Sequence, residues 1–187
     1  PVTVKCRIGV DDVESEPFLR QFVKTASSAG CSMFIIHARK AWLKGLSPKE
    51  NREVPPLDYD LAARIKNEFP HLQIIVNGGI KTVDETKTHL SRFDGVMIGR
   101  EVYQNPQILI DLERDIFENA NALPPRDAVL QMIPYIEKQM RDHATPMKSI
   151  TRHMIGMFSG ARGSRAWRRA LSTQPHLDGA RPQLIEE

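Results

Sequence analysis

The stretch Gln73-Ile-Ile-Val-Asn-Gly-Gly-Ile80 decides the fold of this chain. Its three consecutive β-branched residues have no polar alternation, which is typical of a strand buried on both faces of a parallel sheet. The strand stops at a Gly-Gly pair, and Thr82-Val-Asp-Glu85 then matches a capping box at the start of a helix. A glycine turn between a buried strand and a capped helix presents main-chain N–H groups that suit a phosphate, although many such turns serve chain geometry alone.

The same alternation of strand and helix recurs along the first part of the chain. Apolar runs predict further strands that begin at Val2, Met33 and Gly95. Helical spacing of apolar residues follows each strand, and the predicted helices cover 16–29, 58–69, 83–90 and 106–118. Strands that alternate with helices predict successive βα units, and therefore an α/β fold with a parallel sheet and right-handed crossovers.

Beyond Asn119 the pattern changes, because no further strand signal occurs. Residues 119–125 form a polar, proline-containing linker, and helices are predicted over 127–143, around Met147 to Phe158 and over 164–171. The chain is therefore expected to consist of an α/β domain over 1–118, the linker over 119–125, and a small all-helical domain over 126–187. Because the chain opens inside a predicted strand and without methionine, we interpret it as a fragment.

Composition excludes several classes of protein. The hydrophobic and charged fractions of 41% and 26% are those of an ordinary globular chain, and no apolar run approaches membrane-spanning length. Cys6 and Cys31 have no paired spacing and Asp11-Asp12 has no ligand spacing, so neither a disulfide framework nor a metal site is predicted. We therefore expect a cytoplasmic protein without a membrane or metal partner.

Charge is distributed unevenly between the two parts. The segment from Thr145 to Pro175 has no acidic residue and six basic ones: Lys148, Arg152, Arg162, Arg165, Arg168 and Arg169. Such a segment indicates a polyanionic partner for the helical part, although a solvated basic face would show the same composition.

Candidate ligand-binding residues follow the predicted strands. In α/β folds ligands bind at the carboxyl ends of parallel strands. The residues at these ends are Lys5 and Arg7, His37 and Arg39, Asn77 to Gly79, and Gly99 with Arg100. This basic, donor-rich rim predicts a phosphorylated ligand, with Arg100 as a bidentate partner. Taken singly, a lysine here can extend to solvent and a histidine can bond to main chain.

No convincing nucleophile or acid accompanies this rim. Strand alternation points Cys6 away from whatever Lys5 faces, and Cys31 precedes a core strand, so both are expected to be buried thiols. The other histidines that drew attention, His71, His89 and His176, are interpreted as surface residues.

Five stretches together resemble the tRNA-dihydrouridine synthases: Val4-Lys-Cys-Arg-Ile-Gly9, Phe34-Ile-Ile-His-Ala-Arg-Lys-Ala-Trp42, Leu46-Ser-Pro-Lys-Glu-Asn-Arg52, Asn77-Gly-Gly-Ile80 and Gly95-Val-Met-Ile-Gly-Arg100. The second and third stretches are especially similar to the A-type subfamily, which modifies the tRNA D-loop at position 20/20a. Glycine turns alone are common in phosphate-binding barrels, whereas the ordered set is specific.

The resemblance implies an FMN-binding TIM barrel followed by a helical tRNA-binding domain, with the four strands as barrel strands five to eight. It places Lys5 and His37 against the flavin, and it places Asn77, Gly78, Gly79, Gly99 and Arg100 around the FMN phosphate. It assigns tRNA contacts to Lys49, Arg52, Arg165 and Arg168. The implied reaction uses NADPH to reduce FMN, which then reduces a uridine that has left its stack.

The departure from the family concerns catalysis. The family's catalytic cysteine lies in an Asn-x-Gly-Cys-Pro motif, which this sequence does not contain. The chain is therefore expected to contain no catalytic residue and to be inactive alone. Two alternatives stay open: another FMN- or phosphate-binding barrel oxidoreductase, and a tRNA-binding remnant without catalysis. The oligomeric state also stays open, because a half barrel has open strand edges that a second copy could complete.

Overall fold

The computed structural model describes residues 2–176 and 180–185. Strands and helices alternate first, as β1 (Val4–Arg7), α1 (Ser15–Ser28), β2 (Met33–His37), α2 (Tyr59–Glu68), β3 (Gln73–Asn77), α3 (Val83–Leu90) and β4 (Gly95–Met97). Helices follow, as α4 (Arg100–Gln104), α5 (Gln107–Asp115), α6 (Pro125–Leu130), α7 (Met132–His143), α8 (Met147–Thr151) and α9 (Ser164–Thr173). Short 3-10 turns occupy Glu50–Arg52, Gln174–His176 and Pro182–Ile185.

The four strands form one parallel sheet in the order β1-β2-β3-β4. The predicted α/β fold with a parallel sheet is thereby confirmed. Its sequential order follows from the helical crossovers, since each βα unit places the next strand beside the previous one.

One face of this sheet carries the hydrophobic core. Phe34, Ile36, Ile74 and Val76 are fully buried, in one cluster with apolar residues of α1 and α2. Cys6 packs partly against the same cluster, and burial raises the pKa of its thiol to about 11. Because successive side chains of a strand point to opposite faces, Cys6 faces away from Lys5, as the sequence predicted.

The opposite face is only partly covered. Two rows of paired residues cross it, Lys5–Ile35–Ile75–Gly95 and Arg7–His37–Asn77–Met97. Ile75 is partly exposed, so the prediction that β3 is buried on both faces is wrong for this residue. The polar ends of both rows therefore lie on the open face and not in the core.

Two helices begin with side-chain caps. Thr82 and Glu85 form the predicted capping box, with Glu85 N–H donating to Thr82 Oγ1 at 3.1 Å and Thr82 N–H to Glu85 Oε2 at 3.1 Å. Asp58 caps α2 by accepting from Leu61 N–H at 2.8 Å. Each cap is worth about 1 kcal/mol of helix stability, and the two caps fix the chain on either side of β3.

The chain divides by its internal contacts into two compact units, Pro1–Gly99 and Arg100–Glu187. Among the residues described, the second unit contains helices only, around its own cluster of Val129, Ile136, Met147, Met154, Leu171 and Ile185. Helices α4 and α5 belong to this second unit by their contacts, whereas the sequence analysis assigned their residues up to 118 to the α/β part. The division into domains at 118 and 126 stays a prediction.

Two helix predictions are wrong in the second unit. The predicted helix 127–143 breaks at Gln131 into α6 and α7, because Pro134 has no N–H to offer the carbonyl of Leu130. The helix expected to continue from Met147 to Phe158 ends at Thr151, and turns follow.

Within residues 2–176 and 180–185, no helix is long and apolar enough to cross a membrane. The same residues contain no group of three or more His, Cys, Asp or Glu side chains that could hold a metal ion.

Candidate functional site

The carboxyl ends of the strands form the rim of the open sheet face. Arg7, His37 and Asn77 are register neighbours there, and Lys5 lies one pair earlier on the same face. The structure therefore brings three of the predicted cofactor residues, Lys5, His37 and Asn77, to one end of one face. Position alone does not assign them a ligand, and their roles stay predictions.

The turn after β3 is shaped by its two glycines. Gly78 has φ +119° and Gly79 has φ +72°, values that favour glycine strongly. A Cβ at Gly78 would lie 2.9 Å from Cδ2 of His37, and one at Gly79 would lie 2.6 Å from Cδ1 of Leu57. The turn therefore packs closely against the end of β2 and the start of α2.

Two side chains hold this turn. The hydroxyl of Tyr59 donates to the carbonyl of Gly78, and Nδ2 of Asn77 donates to the carbonyl of Met97 at 2.7 Å. Gly78 immediately follows Asn77, the last residue of β3, which pairs with Met97 of β4. A glycine turn after a parallel strand is a place where main-chain N–H groups can bind an anion.

The second glycine turn has a different environment. A Cβ placed at Gly99 would meet no atom within 4 Å, and Gly99 is exposed. Arg100 begins α4 in the second unit. Its place relative to the sheet therefore stays a prediction.

The rim concentrates positive charge. Partial burial lowers the pKa of Lys5, and the nearby Arg7 charge lowers it further. Burial also lowers the pKa of Arg7, followed by the charges of Arg39 and Arg52. Each shift records a cation that its surroundings destabilise, and an anionic ligand at the rim would relieve this.

Arg7 and Arg39 also anchor the long segment between β2 and α2. Nη1 of Arg7 donates to the carbonyls of Lys40 at 2.9 Å and Asn51 at 2.8 Å. Nη1 of Arg39 donates to the carbonyls of Glu53 at 3.1 Å and Pro55. Nε of Arg39 is buried and has no hydrogen-bond partner among the described residues.

This segment carries the predicted tRNA contacts Lys49 and Arg52, both exposed. Lys49 comes just before a 3-10 turn, Glu50–Arg52, and Arg52 is the last residue of that turn. Ser47 and Glu50 form two reciprocal hydrogen bonds at the start of this turn. Ser47 N–H donates to Glu50 Oε2 at 2.8 Å, and Glu50 N–H donates to Ser47 Oγ at 3.3 Å. The Ser-x-x-Glu spacing is a capping-box signal that the sequence analysis missed.

The predicted tRNA contacts of the second unit lie on α9. Arg165 lines an open cavity of about 750 Å³ together with Arg162, Arg169 and Trp167. Arg168 does not line it, and its Nε donates to the carbonyl of Ser164 at 3.3 Å. Trp167 packs inward, edge-on to Phe158 and with Nε1 donating to the carbonyl of Met154 at 3.0 Å. The structure thus places Arg162, just before α9, and Arg169, on α9, beside the predicted contact Arg165.

His89 is a correction to the sequence analysis, which interpreted it as a surface residue. It is only 8% exposed and packs against Tyr59, with ring centroids 4.2 Å apart. Burial lowers its pKa, and its Nδ1 has no hydrogen-bond partner in the part of the chain that is described. His89 therefore supports the base of the glycine turn through Tyr59.

Comparison with known proteins identifies relatives along the whole chain. The family model described as "Dihydrouridine synthase (Dus)" matches residues 1–186. Curated relatives named tRNA-dihydrouridine(20/20a) synthase are 52% identical over 189 residues in Vibrio cholerae serotype O1, 50% over 188 in Pasteurella multocida and 53% over 188 in Escherichia coli K12. The alignments cover 100% of this chain and 58%, 57% and 54% of those relatives. The chain therefore spans about half the length of the curated relatives it matches.

Similarity to solved structures is weak. A structure of RcsB from Salmonella enterica serovar Typhimurium, bound to promoter rprA, matches 92% of this chain and 100% of its own, with 15% sequence identity and a TM-score of 0.29. A similarity at this level carries no argument about fold or function.

Proposed function

The chain belongs to the dihydrouridine synthase family, and from this premise we propose that it is part of an FMN-dependent enzyme that reduces uridine to 5,6-dihydrouridine in the D-loop of tRNA. The names of relatives at 50–53% identity support position 20/20a as the target. The single structural observation that carries the proposal is the rim that joins basic side chains at the strand ends to the glycine turn at Gly78 and Gly79.

We propose that the four strands are strands five to eight of a TIM barrel. The sequential, parallel order of the sheet supports this, and so does its division into one helix-covered face and one half-open face. The half-open face would be the barrel interior, where side chains of neighbouring strands form layers. The helices of 126–187 would then form the tRNA-binding domain.

We propose that the FMN phosphate binds at Asn77, Gly78 and Gly79, with Gly99 and Arg100 completing its site. The residues present fit such a group, because basic side chains lie at the strand ends beside the first turn and the second turn leaves open space beside the Cα of Gly99. Lys5 and His37 would hold the flavin ring side of the cofactor. When bound, FMN supplies the hydride for the uracil ring, and NADPH restores the reduced flavin.

The proposed proton donor of the family is a cysteine, and neither thiol of this chain suits that role. Cys6 faces the core with a raised pKa. Sγ of Cys31 donates to the carbonyl of Met33 at 3.4 Å, at the start of β2 and away from the rim. The sequence also lacks the Asn-x-Gly-Cys-Pro motif. We therefore expect these 187 residues not to complete the reaction by themselves.

We propose that tRNA contacts Lys49 and Arg52 on the long segment and Arg165 and Arg168 on α9. Exposure of all four side chains supports this, as does the absence of acidic residues between 145 and 175. Lys and Arg side chains that neutralise phosphates release counterions, so tRNA affinity should fall steeply with salt.

A titration with FMN tests the cofactor site, with quenching of flavin fluorescence as the signal. We expect the full-length protein to bind saturably, and Lys5→Ala to weaken binding by about tenfold, the size of one lost charge-assisted contact. Lys24→Ala, on the exposed side of α1, is the matched control and should bind as the unmodified protein does. Equal affinities for Lys5→Ala and Lys24→Ala would show that the cofactor site lies elsewhere.

A further inference from the structure

We propose that Asn51 is a positioning residue that holds Lys49 and Arg52 in place before RNA binds. The inference rests on the proposed tRNA-binding function, which assigns RNA contacts to those two cations. It adds a residue that would not itself touch the substrate. Its role is to remove the conformational freedom of a segment that runs from β2 to α2, over residues 38–58.

The Asn51 side chain forms hydrogen bonds with earlier residues of the same segment. Its Oδ1 accepts from the N–H of Trp42 at 2.7 Å, and its Nδ2 donates to the carbonyl of Trp42 at 2.7 Å. Nδ2 also reaches the carbonyl of Leu46 at 3.2 Å. This pairing requires a donor and an acceptor on one short planar group, so asparagine satisfies it, whereas aspartate has no donor and alanine has neither.

The main chain of Asn51 ties the same point to the sheet. Its carbonyl accepts from Nη1 of Arg7 at 2.8 Å, and Arg7 is the last residue of β1. Its N–H donates to the carbonyl of Ser47 at 2.9 Å. Asn51 therefore connects three places: the end of β1, the start of the segment at Trp42, and the turn that begins at Ser47.

Lys49 and Arg52 lie close to Asn51 in the sequence. Lys49 precedes it by two residues and Arg52 follows it, and Arg52 N–H donates to the carbonyl of Lys49 at 3.0 Å. Both side chains are exposed, and these hydrogen bonds are made by the backbone and by Asn51. Ordering the backbone of one residue costs about 1–2 kcal/mol of conformational entropy. A segment that is already ordered does not lose this free energy when RNA binds.

A purely structural role for Asn51 predicts a different result from a positioning role. If Asn51 only supported the fold, its loss would lower stability and would add independently to the loss of Arg52. If Asn51 acts through Arg52, the two losses overlap, because a cation that is already misplaced contributes little when it is removed.

The experiment combines hydrogen exchange with RNA affinity in the full-length protein. Without RNA, Asn51→Ala and Asn51→Asp should speed exchange of the Trp42 amide by about tenfold or more, because its segment opens more often. Asn67→Ala, on the exposed side of α2, is the matched control and should leave that exchange unchanged. Asn51→Asp retains the acceptor and nearly the shape of the side chain, so it tests the donors even if the alanine variant folds poorly.

The affinity arm uses unmodified tRNA in a filter-binding titration. Asn51→Ala and Arg52→Gln should each lower affinity by about tenfold, and the double variant should lose much less than the product of the two. Unchanged exchange in both Asn51 variants, or fully multiplicative losses of affinity, would overturn the positioning role.

Charge reversal of Arg165 and Arg168 tests the proposed function separately. The variant that combines Arg165→Glu with Arg168→Glu should bind tRNA more weakly and with a smaller salt dependence, while the Trp42 amide exchanges as before. If this variant and Arg52→Gln both bind tRNA normally, the proposed tRNA function fails, whatever the exchange measurement shows. If only the exchange result is negative, the function stands and the role of Asn51 falls.

Discussion

Two glycine turns end neighbouring strands of the same sheet, and they have different physical reasons for their glycines. At the turn after β3, both glycines have positive φ, and added Cβ atoms would lie 2.9 Å and 2.6 Å from other side chains. At the turn after β4, a Cβ on Gly99 would meet nothing within 4 Å. In sequence the two turns look alike, since each follows an apolar strand.

The comparison separates two glycines that the fold requires from one that the fold does not require. The glycines at 78 and 79 are required by the fold itself, because His37, Leu57 and Tyr59 pack where their side chains would be. No such packing explains Gly99. Its open space is compatible with the role proposed for it beside the FMN phosphate. A substitution at Gly78 should therefore lower mainly the stability of the fold, and a substitution at Gly99 should lower mainly the affinity for FMN.

The largest expected effect is at the crowded turn. Gly78→Ala forces a side chain into φ +119° and against the ring of His37 and the methyl of Leu57. We expect the free energy of unfolding to fall by about 2–4 kcal/mol, from backbone strain and steric overlap together. Urea denaturation followed by circular dichroism measures this. A loss below 1 kcal/mol would mean that the turn relaxes easily, and the contrast between the turns would disappear.

A smaller effect is expected from the side chain that holds the crowded turn. Tyr59→Phe removes the hydroxyl that donates to the carbonyl of Gly78 and leaves the ring packed on His89. We expect a loss of about 1 kcal/mol in the free energy of unfolding, the usual net value of one hydrogen bond. Tyr135→Phe, at an exposed position of α7, is the matched control. If both variants lose equally little, the Gly78 carbonyl is satisfied in another way and Tyr59 is not a support of the turn.

The smallest effect on stability is expected at the open turn. Gly99→Ala should change the free energy of unfolding by no more than about 0.5 kcal/mol, because the new methyl group meets no protein atom. FMN affinity, measured by flavin fluorescence, should nevertheless fall by about tenfold, because the backbone could no longer approach the phosphate closely. Unchanged affinity in this variant would remove Gly99 from the proposed site and leave only the turn after β3.

Much of the α/β part was predictable because its signals are local. The apolar run of β3 and the capping box at Thr82 involve residues within a few positions of one another, and the structure confirms the parallel sheet and the cap. Strand alternation likewise predicted that Cys6 and Lys5 point to opposite faces. The rim at the strand ends follows from these predictions, since parallel strands end on the same side.

The residues that sequence reasoning missed depend on distant partners. In the sequence, Asn51 is one polar residue of a long connection. In the structure, its side-chain amide bonds to Trp42, nine positions away, and its carbonyl accepts from Arg7, 44 positions away. Tyr59 becomes part of the glycine turn only through a hydrogen bond across 19 positions. His89 occupies a helix face that its own sequence surroundings did not identify as buried.

The sequence by itself determined the βα alternation, the basic rim and the membership of the dihydrouridine synthase family. Period-2 and helical patterns are properties of neighbouring residues, and a set of ordered motifs can be recognised without coordinates. Only the tertiary structure decided which glycine is required by packing and which is not, and which polar side chain forms hydrogen bonds across the basic segment. Those answers depend on atoms that meet within 3 Å although their residues are far apart in the chain, and close packing makes such contacts specific.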